Sequence, residues 1–173
     1  MKVNNEEEVL ELEENEVQVD EGVKVQLIVF QLGEEEYALP IDQIKEIVVT
    51  PRISSVPQTP DYVRGIANIR GHVISIMDFE TKFGLKKKGA KSESSHNFTL
   101  VIESDEFNIG VLVNQVPNTL SVMSSKIDKS SSIMQYSTMD ETVIKGVVNL
   151  KDRMIILIDV LRMMEIGELK TKL

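Results

Sequence analysis

The chain carries 173 residues, 42% of them hydrophobic, with no cysteine and a formal net charge of −9 at pH 7. That length holds one ordinary domain or two very small ones, and the lack of cysteine excludes disulfide staples, thiolate metal sites and a thiol nucleophile and suits a reducing compartment. No secretory signal pattern opens it, and no apolar run approaches the roughly 20 residues of a membrane helix, so it reads as soluble and cytoplasmic.

The charge is unevenly placed. Residues 1–22 hold nine acids against the single base Lys2, so the remaining body is close to neutral. Such a run reads as a disordered, solvating tail; a specific binding role is the other reading. Nothing is basic enough to suggest a nucleic-acid surface.

From Val25 onward the pattern is one of short strands. Val25–Leu32 is apolar and β-branched, Gly33–Glu36 reads as a turn, and Tyr37–Leu39 answers as the second arm of a hairpin. Glu46–Thr50 is a strand closed by Pro51, and Ile53–Val56, between prolines, suits a sheet edge. Gly65–Ile69 and His72–Met77 form another hairpin around Arg70-Gly71. Asp78 then ends the apolar run before a helix-compatible segment, Phe79–Phe83. The charged stretch Leu85–Asn97, with four lysines, reads as a connector that is either solvated or turned towards an acidic partner.

Beyond the connector the chain repeats itself. At an offset of 72, Leu27–Phe30 falls on Thr99–Ile102, Tyr37–Leu39 on Ile109–Val111 and Ile41–Ile44 on Val113–Val116. At an offset of 81, Arg64–Arg70 falls on Lys145–Lys151 and Val73–Phe79 on Met154–Val160. The nine additional residues of the second copy lie in Ser121–Thr142, rich in Ser and Thr, which reads as a longer loop. One duplication is not a solenoid; it marks two related subdomains. Each half, 23–88 and 96–166, is too small to bury a large core alone. The two therefore lean on each other within a single domain, 23–166, and strands are free to cross between them. Short strands with Gly and Pro punctuation indicate small barrels.

Few residues offer chemistry. Asp78 and Asp159 share one repeat position, each ahead of a helical segment, the second being Val160–Glu165. They are helix caps or a carboxylate pair, and capping explains why each copy has one. His72 and His96 show no metal-ligand spacing, and neither a Gly-rich phosphate loop nor a G-x-S-x-G elbow occurs. No catalytic, cofactor or metal residue is assigned, and the chain reads as a protein without enzymatic activity.

The segment Thr59–Phe79, Thr-Pro-Asp-Tyr-Val-Arg-Gly-Ile-Ala-Asn-Ile-Arg-Gly-His-Val-Ile-Ser-Ile-Met-Asp-Phe, resembles the most distinctive stretch of the chemotaxis coupling protein (CheW-like) family. Phe30–Tyr37 with Ile41–Ile47, Ile109–Val116 and Gly146–Asp159 fit the same family in order, so the resemblance covers about residues 24–166. It implies an all-β fold of two pseudo-symmetric five-stranded SH3-like barrels with a hydrophobic groove between them, and short helical segments after Asp78 and Asp159. It implies no catalysis and no cofactor. The role it implies is a scaffold linking the cytoplasmic tips of methyl-accepting chemoreceptors to the regulatory domain of the chemotaxis histidine kinase, in membrane-associated arrays. By position, Ile44, Glu46, Gly65, Arg70 and Gly71 match family residues associated with receptor coupling. Glu46 and Arg70 are expected to pair at the groove rim. Their counterparts, Asn118 and Lys151, cannot make that pair, which favours recognition over a plain surface ion pair. Thr119 departs from an apolar family position. An adaptor of another chemosensory pathway remains an alternative reading, as does a ligand-binding barrel, which would need a polar pocket between the halves.

Overall fold

The computed structural model describes residues 22–85, 96–130 and 143–171. The acidic tail up to residue 21, most of the lysine-rich connector and residues 131–142 lie outside them. The described elements, in order, are β1 (Lys24–Leu32), β2 (Glu35–Pro40), β3 (Ile44–Val49), β4 (Val63–Ile69), β5 (His72–Met77), α1 (Phe79–Lys82), β6 (Phe98–Glu103), β7 (Asn108–Val113), β8 (Asn118–Met123), β9 (Ile127–Asp128), β10 (Ile144–Leu150), β11 (Arg153–Ile158) and α2 (Val160–Thr171).

Three local expectations shift. The first hairpin is tighter than its acidic turn suggested: Leu32 already pairs with Glu35. Gly33 makes this possible by supplying φ +61° at the first turn position, where a two-residue hairpin needs a left-handed residue. Ile53–Val56 contributes a single bridge, Ser54 to Ile66, because prolines flank it and remove donors. The supposed loop Ser121–Thr142 begins with the end of β8 and the two-residue β9.

The strands form two sheets, ordered β8-β1-β2-β11-β10-β9 and β3-β6-β7-β5-β4. The two copies of the repeat exchange hairpins. β1 and β2 join the sheet of the second copy, while β6 and β7 join the sheet of the first. The two parallel junctions show how closely the copies correspond. Ser75 on β5 lies opposite Ile109 on β7, and Ile156 on β11 lies opposite Tyr37 on β2; these are the same repeat positions.

Side-chain alternation explains the exchange. On β1, Leu27 and Val29 point into their own barrel with Ala38, Val148 and Ile155. Ile28, Phe30 and Leu32 point the other way, into a cluster shared with Leu100, Ile102, Val111 and Val113 of the β6–β7 hairpin. Val101 and Leu112 of that hairpin fill the other barrel with Ala67, Ile69, Ile74 and Ile76. A strand buried on both faces must be apolar throughout, which is why Leu27–Phe30 and Leu100–Ile102 read as unbroken apolar runs. At about 1.5–3 kcal/mol for each large side chain fully buried, the seam between the barrels is a principal source of stability. Aromatic contacts extend it, Tyr37 stacking on Phe30 at 6.4 Å and meeting Phe83 in a tilted arrangement at 5.7 Å. The architecture is all-β: two SH3-like barrels packed through a common apolar seam.

Candidate partner-binding site

Two segments of the first-copy barrel meet at its rim. One is β3, an edge strand bonded only to β6. The other is the turn between β4 and β5. Arg70 and Gly71 occupy that turn with φ of +52° and +85°, the doubly left-handed pattern that follows the natural twist of a two-residue hairpin. Asn68 Oδ1 accepts from the Gly71 amide at 2.9 Å and fixes the bend. Glycine takes this conformation freely, but an arginine there costs of order 1 kcal/mol. In exchange Arg70 is aimed along the barrel edge, where its Nε lies 2.7 Å from Glu46 Oε2. The Arg70 side chain is 78% exposed and that of Glu46 only 19%, so the carboxylate is seated in the wall and the guanidinium stands in solvent.

A bulge decides what surrounds the pair. Ile44 lies opposite Ile102, but Glu46 lies opposite the very next residue, Val101, so Lys45 is the additional residue. Directly opposed residues share a face. Ile44 therefore faces the seam with Ile102, and Glu46 faces the barrel interior with Val101. Ile47, opposite Leu100, returns to the seam side. Ile47 and Val49 are exposed, Val49 by 75%. The result is an apolar strip, Ile44, Ile47 and Val49, on one face of β3, with the carboxylate of the ion pair on the other.

The second copy lacks this combination. Thr119 sits opposite Ile28 on β1 just as Ile47 sits opposite Leu100 on β6, and Ser121 takes the place of Val49. Asn118 and Lys151 stand where Glu46 and Arg70 do, and the Lys151–Asp152 turn has no positive φ. In the second barrel a carboxylate–guanidinium pair lies elsewhere: Arg153 makes two bonds of 2.7 and 2.8 Å to Glu36 across the β2–β11 junction.

Gly65 belongs to a different place. It lies in β4, five residues before Arg70, roughly 16 Å along a strand. Its φ is +140°, and a Cβ would fall 2.1 Å from the Ser54 carbonyl oxygen. Its counterpart Gly146 is also crowded, though less so, a Cβ falling 2.6 Å from Ile127 Cγ2 and 2.9 Å from Asp128 O. Both copies thus keep a glycine where the neighbouring backbone passes too close for a side chain. Gly71 has open space around it. The structure brings Glu46, Arg70 and Gly71 together, with Ile44 on the same strand as Glu46, and gives Gly65 a role in building the barrel. Ile47 and Val49 carry no sequence signal beyond strand propensity.

The two repeated aspartates are helix caps. Asp78 Oδ1 accepts from the Thr81 amide at 3.1 Å and Asp159 Oδ1 from the Arg162 amide at 3.0 Å. Each has a cation from the preceding hairpin, Arg64 at 3.5 Å and Lys145 at 3.7 Å. His72 is exposed on β5. A polar depression of about 260 Å³ opens beside the start of β3, lined by Asp42, Gln43, Ile44, Lys45, Glu103, Ser104 and Asp105. It lies on one barrel rather than between the two, and Lys45 and Glu103 already bind one another across it. Among the described residues no helix is long and apolar enough to cross a membrane.

Residues 26–168 match the family model for the CheW-like domain. The chain is 34% identical over 111 residues to the chemotaxis protein CheW of Helicobacter pylori, covering 64% of this chain and 66% of that protein. It is 27% identical over 149 residues to the chemotaxis protein CheW of Klebsiella aerogenes, covering 86% and 87%. Among solved structures, the scaffolding protein TtCheW from Thermoanaerobacter tengcongensis superposes with a TM-score of 0.68 at 28% identity, covering 80% of this chain and 86% of that one.

Proposed function

Because this chain belongs to the CheW-like domain family, whose members are non-catalytic chemotaxis adaptors, we propose that it couples the cytoplasmic tip of a methyl-accepting chemoreceptor to the regulatory domain of a chemotaxis histidine kinase. The chain acts in the cytoplasm, at receptor arrays. It needs no cofactor, since the task is to hold two proteins together. The observation that carries the reading is the asymmetry of the repeat: an edge strand with an apolar strip on one face and the Glu46–Arg70 pair on the other exists in one copy only. The second barrel closes without this strip and pair, so neither is needed to build a barrel, which leaves them available for a contact outside the molecule. A receptor tip is a helical bundle, and a helix laid along β3 would bury Ile44, Ile47 and Val49 while its polar flank meets Arg70.

The test is a titration of this protein with a receptor-tip fragment and, separately, with the kinase regulatory domain, repeated with Arg70→Ala. An exposed ion pair contributes about 0–1 kcal/mol, so the substituted protein should keep its fold. Receptor binding weakened with folding and kinase binding intact supports the assignment. Wild-type protein that binds neither partner would remove both and point to another chemosensory pathway. Unfolding on substitution would show the pair to be structural.

A further inference from the structure

The connector that joins the two copies re-enters the described structure at His96, and it does so at a crossroads. Glu80, on α1, is 7% exposed. Its Oε1 accepts from the Gly33 amide at 3.0 Å and from the Asn114 side chain at 3.3 Å. Gly33 belongs to the β1–β2 turn of one barrel and Asn114 to the end of β7 in the other. A single buried carboxylate therefore ties both barrels to α1. Its second oxygen, Oε2, lies 4.0 Å from His96 Nε2, with side-chain exposures of 9% and 10%. The carboxylate of Asp78 completes the group, its ligating atom and those of Glu80 and His96 all lying within 4.8 Å of one another. The residue after His96 is held as well: the Asn97 carbonyl accepts from the Thr50 amide, just past β3, at 2.9 Å.

The group does not suit a metal cation. Both Asp78 oxygens are engaged by the Thr81 amide and hydroxyl, Arg64 is paired with the same carboxylate at 3.5 Å, and Glu80 Oε1 is taken by Gly33 and Asn114, so few donor atoms are open to a metal. Lys82 on α1 lies 3.8 Å above the Tyr62 ring, and the β1–β2 turn contributes only the acids Glu34 and Glu35. The second copy has Leu161 in place of Glu80, so the arrangement serves something other than barrel construction.

We propose that His96 is a pH-dependent latch on the seam between the barrels. With a proton bound, the imidazolium faces the Glu80 carboxylate and fastens residues 96–97 to the point where β1–β2, β7 and α1 converge. On losing the proton it is neutral, and the charge pair is gone. The folded state thus favours the protonated histidine. Its contribution is complete at low pH and is lost as pH rises through the histidine range, about pH 6–8.

The full chain is unfolded in denaturant at pH values across that range, as wild type, His96→Gln and His72→Gln, while the two histidine ring resonances are followed by NMR. The wild type and His72→Gln should lose stability as pH rises, and His96→Gln should lose that slope. Glu80→Gln, which keeps an acceptor for Gly33, should move the His96 titration to lower pH. A slope that survives in His96→Gln overturns the latch, as does a His96 midpoint unmoved by Glu80→Gln. Should Glu80→Gln fail to fold, the two histidine variants decide the matter.

Discussion

At the scale of single residues, the two glycines matched to receptor coupling have opposite physical roles. Gly65 is enclosed: an added methyl would meet the Ser54 carbonyl at 2.1 Å on a backbone with φ +140°. Relief requires breaking the Ser54–Ile66 bridge. Gly71 has φ +85° but nothing within 4 Å of an added Cβ. Gly71→Ala should therefore cost only the left-handed penalty, about 1–2 kcal/mol, while Gly65→Ala should cost about 3 kcal/mol or more, because strain and a lost contact add. Thermal unfolding of the two variants ranks them directly. Equal stabilities would mean that Gly65 is not required by the barrel and that its match to the family reflects a partner. Burial elsewhere leaves its own mark: it pushes the Tyr37 phenol up to about 12, the nearby Glu35 carboxylate adding to the effect.

At the scale of elements, β3 makes the sharpest claim. Ile47 and Val49 lie on the seam side of an edge strand, 39% and 75% exposed, and neither belongs to the buried core. Replacing both by Ser should change stability by roughly 0.5 kcal/mol or less each while weakening binding of a receptor-tip fragment, which a binding titration beside a denaturation curve would measure. A large stability loss would instead place them in the core. This strand also shows where sequence reading stops. Ile44-Lys45-Glu46-Ile47-Val48-Val49 reads as plain alternation, which puts Ile44 and Glu46 on one face. The bulge at Lys45 puts them on opposite faces, and nothing in the residues announces it. The strands themselves were legible because alternation and Gly or Pro punctuation are local. The repeat exposed the Asp78 and Asp159 caps and the missing Glu46–Arg70 counterpart. Burial of Glu80 by Gly33 and Asn114 was not legible, since it joins segments 34 and 47 positions apart.

At the scale of the molecule, the exchanged hairpins make the two barrels one cooperative unit. Residues 23–88 contain β1 to β5, but β1 and β2 are bonded to β8 and β11, and β3 and β5 to β6 and β7. Cut from the rest, this half keeps its hairpins and loses the junctions that close either barrel. It also loses Leu100, Ile102, Val111 and Val113 from the shared cluster. Half a seam cannot offset the entropy of ordering its chain. The fragments 23–88 and 96–173 should therefore each be unfolded alone by circular dichroism and amide dispersion, and should recover native spectra when mixed, at a rate and yield that rise with concentration. The intact chain should unfold in one transition, with probes in the two barrels coinciding. Independent folding of either fragment, or two separated transitions, would contradict the exchange. Adaptor function benefits from such construction: on the proposed reading a partner docked on β3 loads a strand whose one neighbour, β6, lines the seam together with β7, so the whole molecule resists the displacement of one edge.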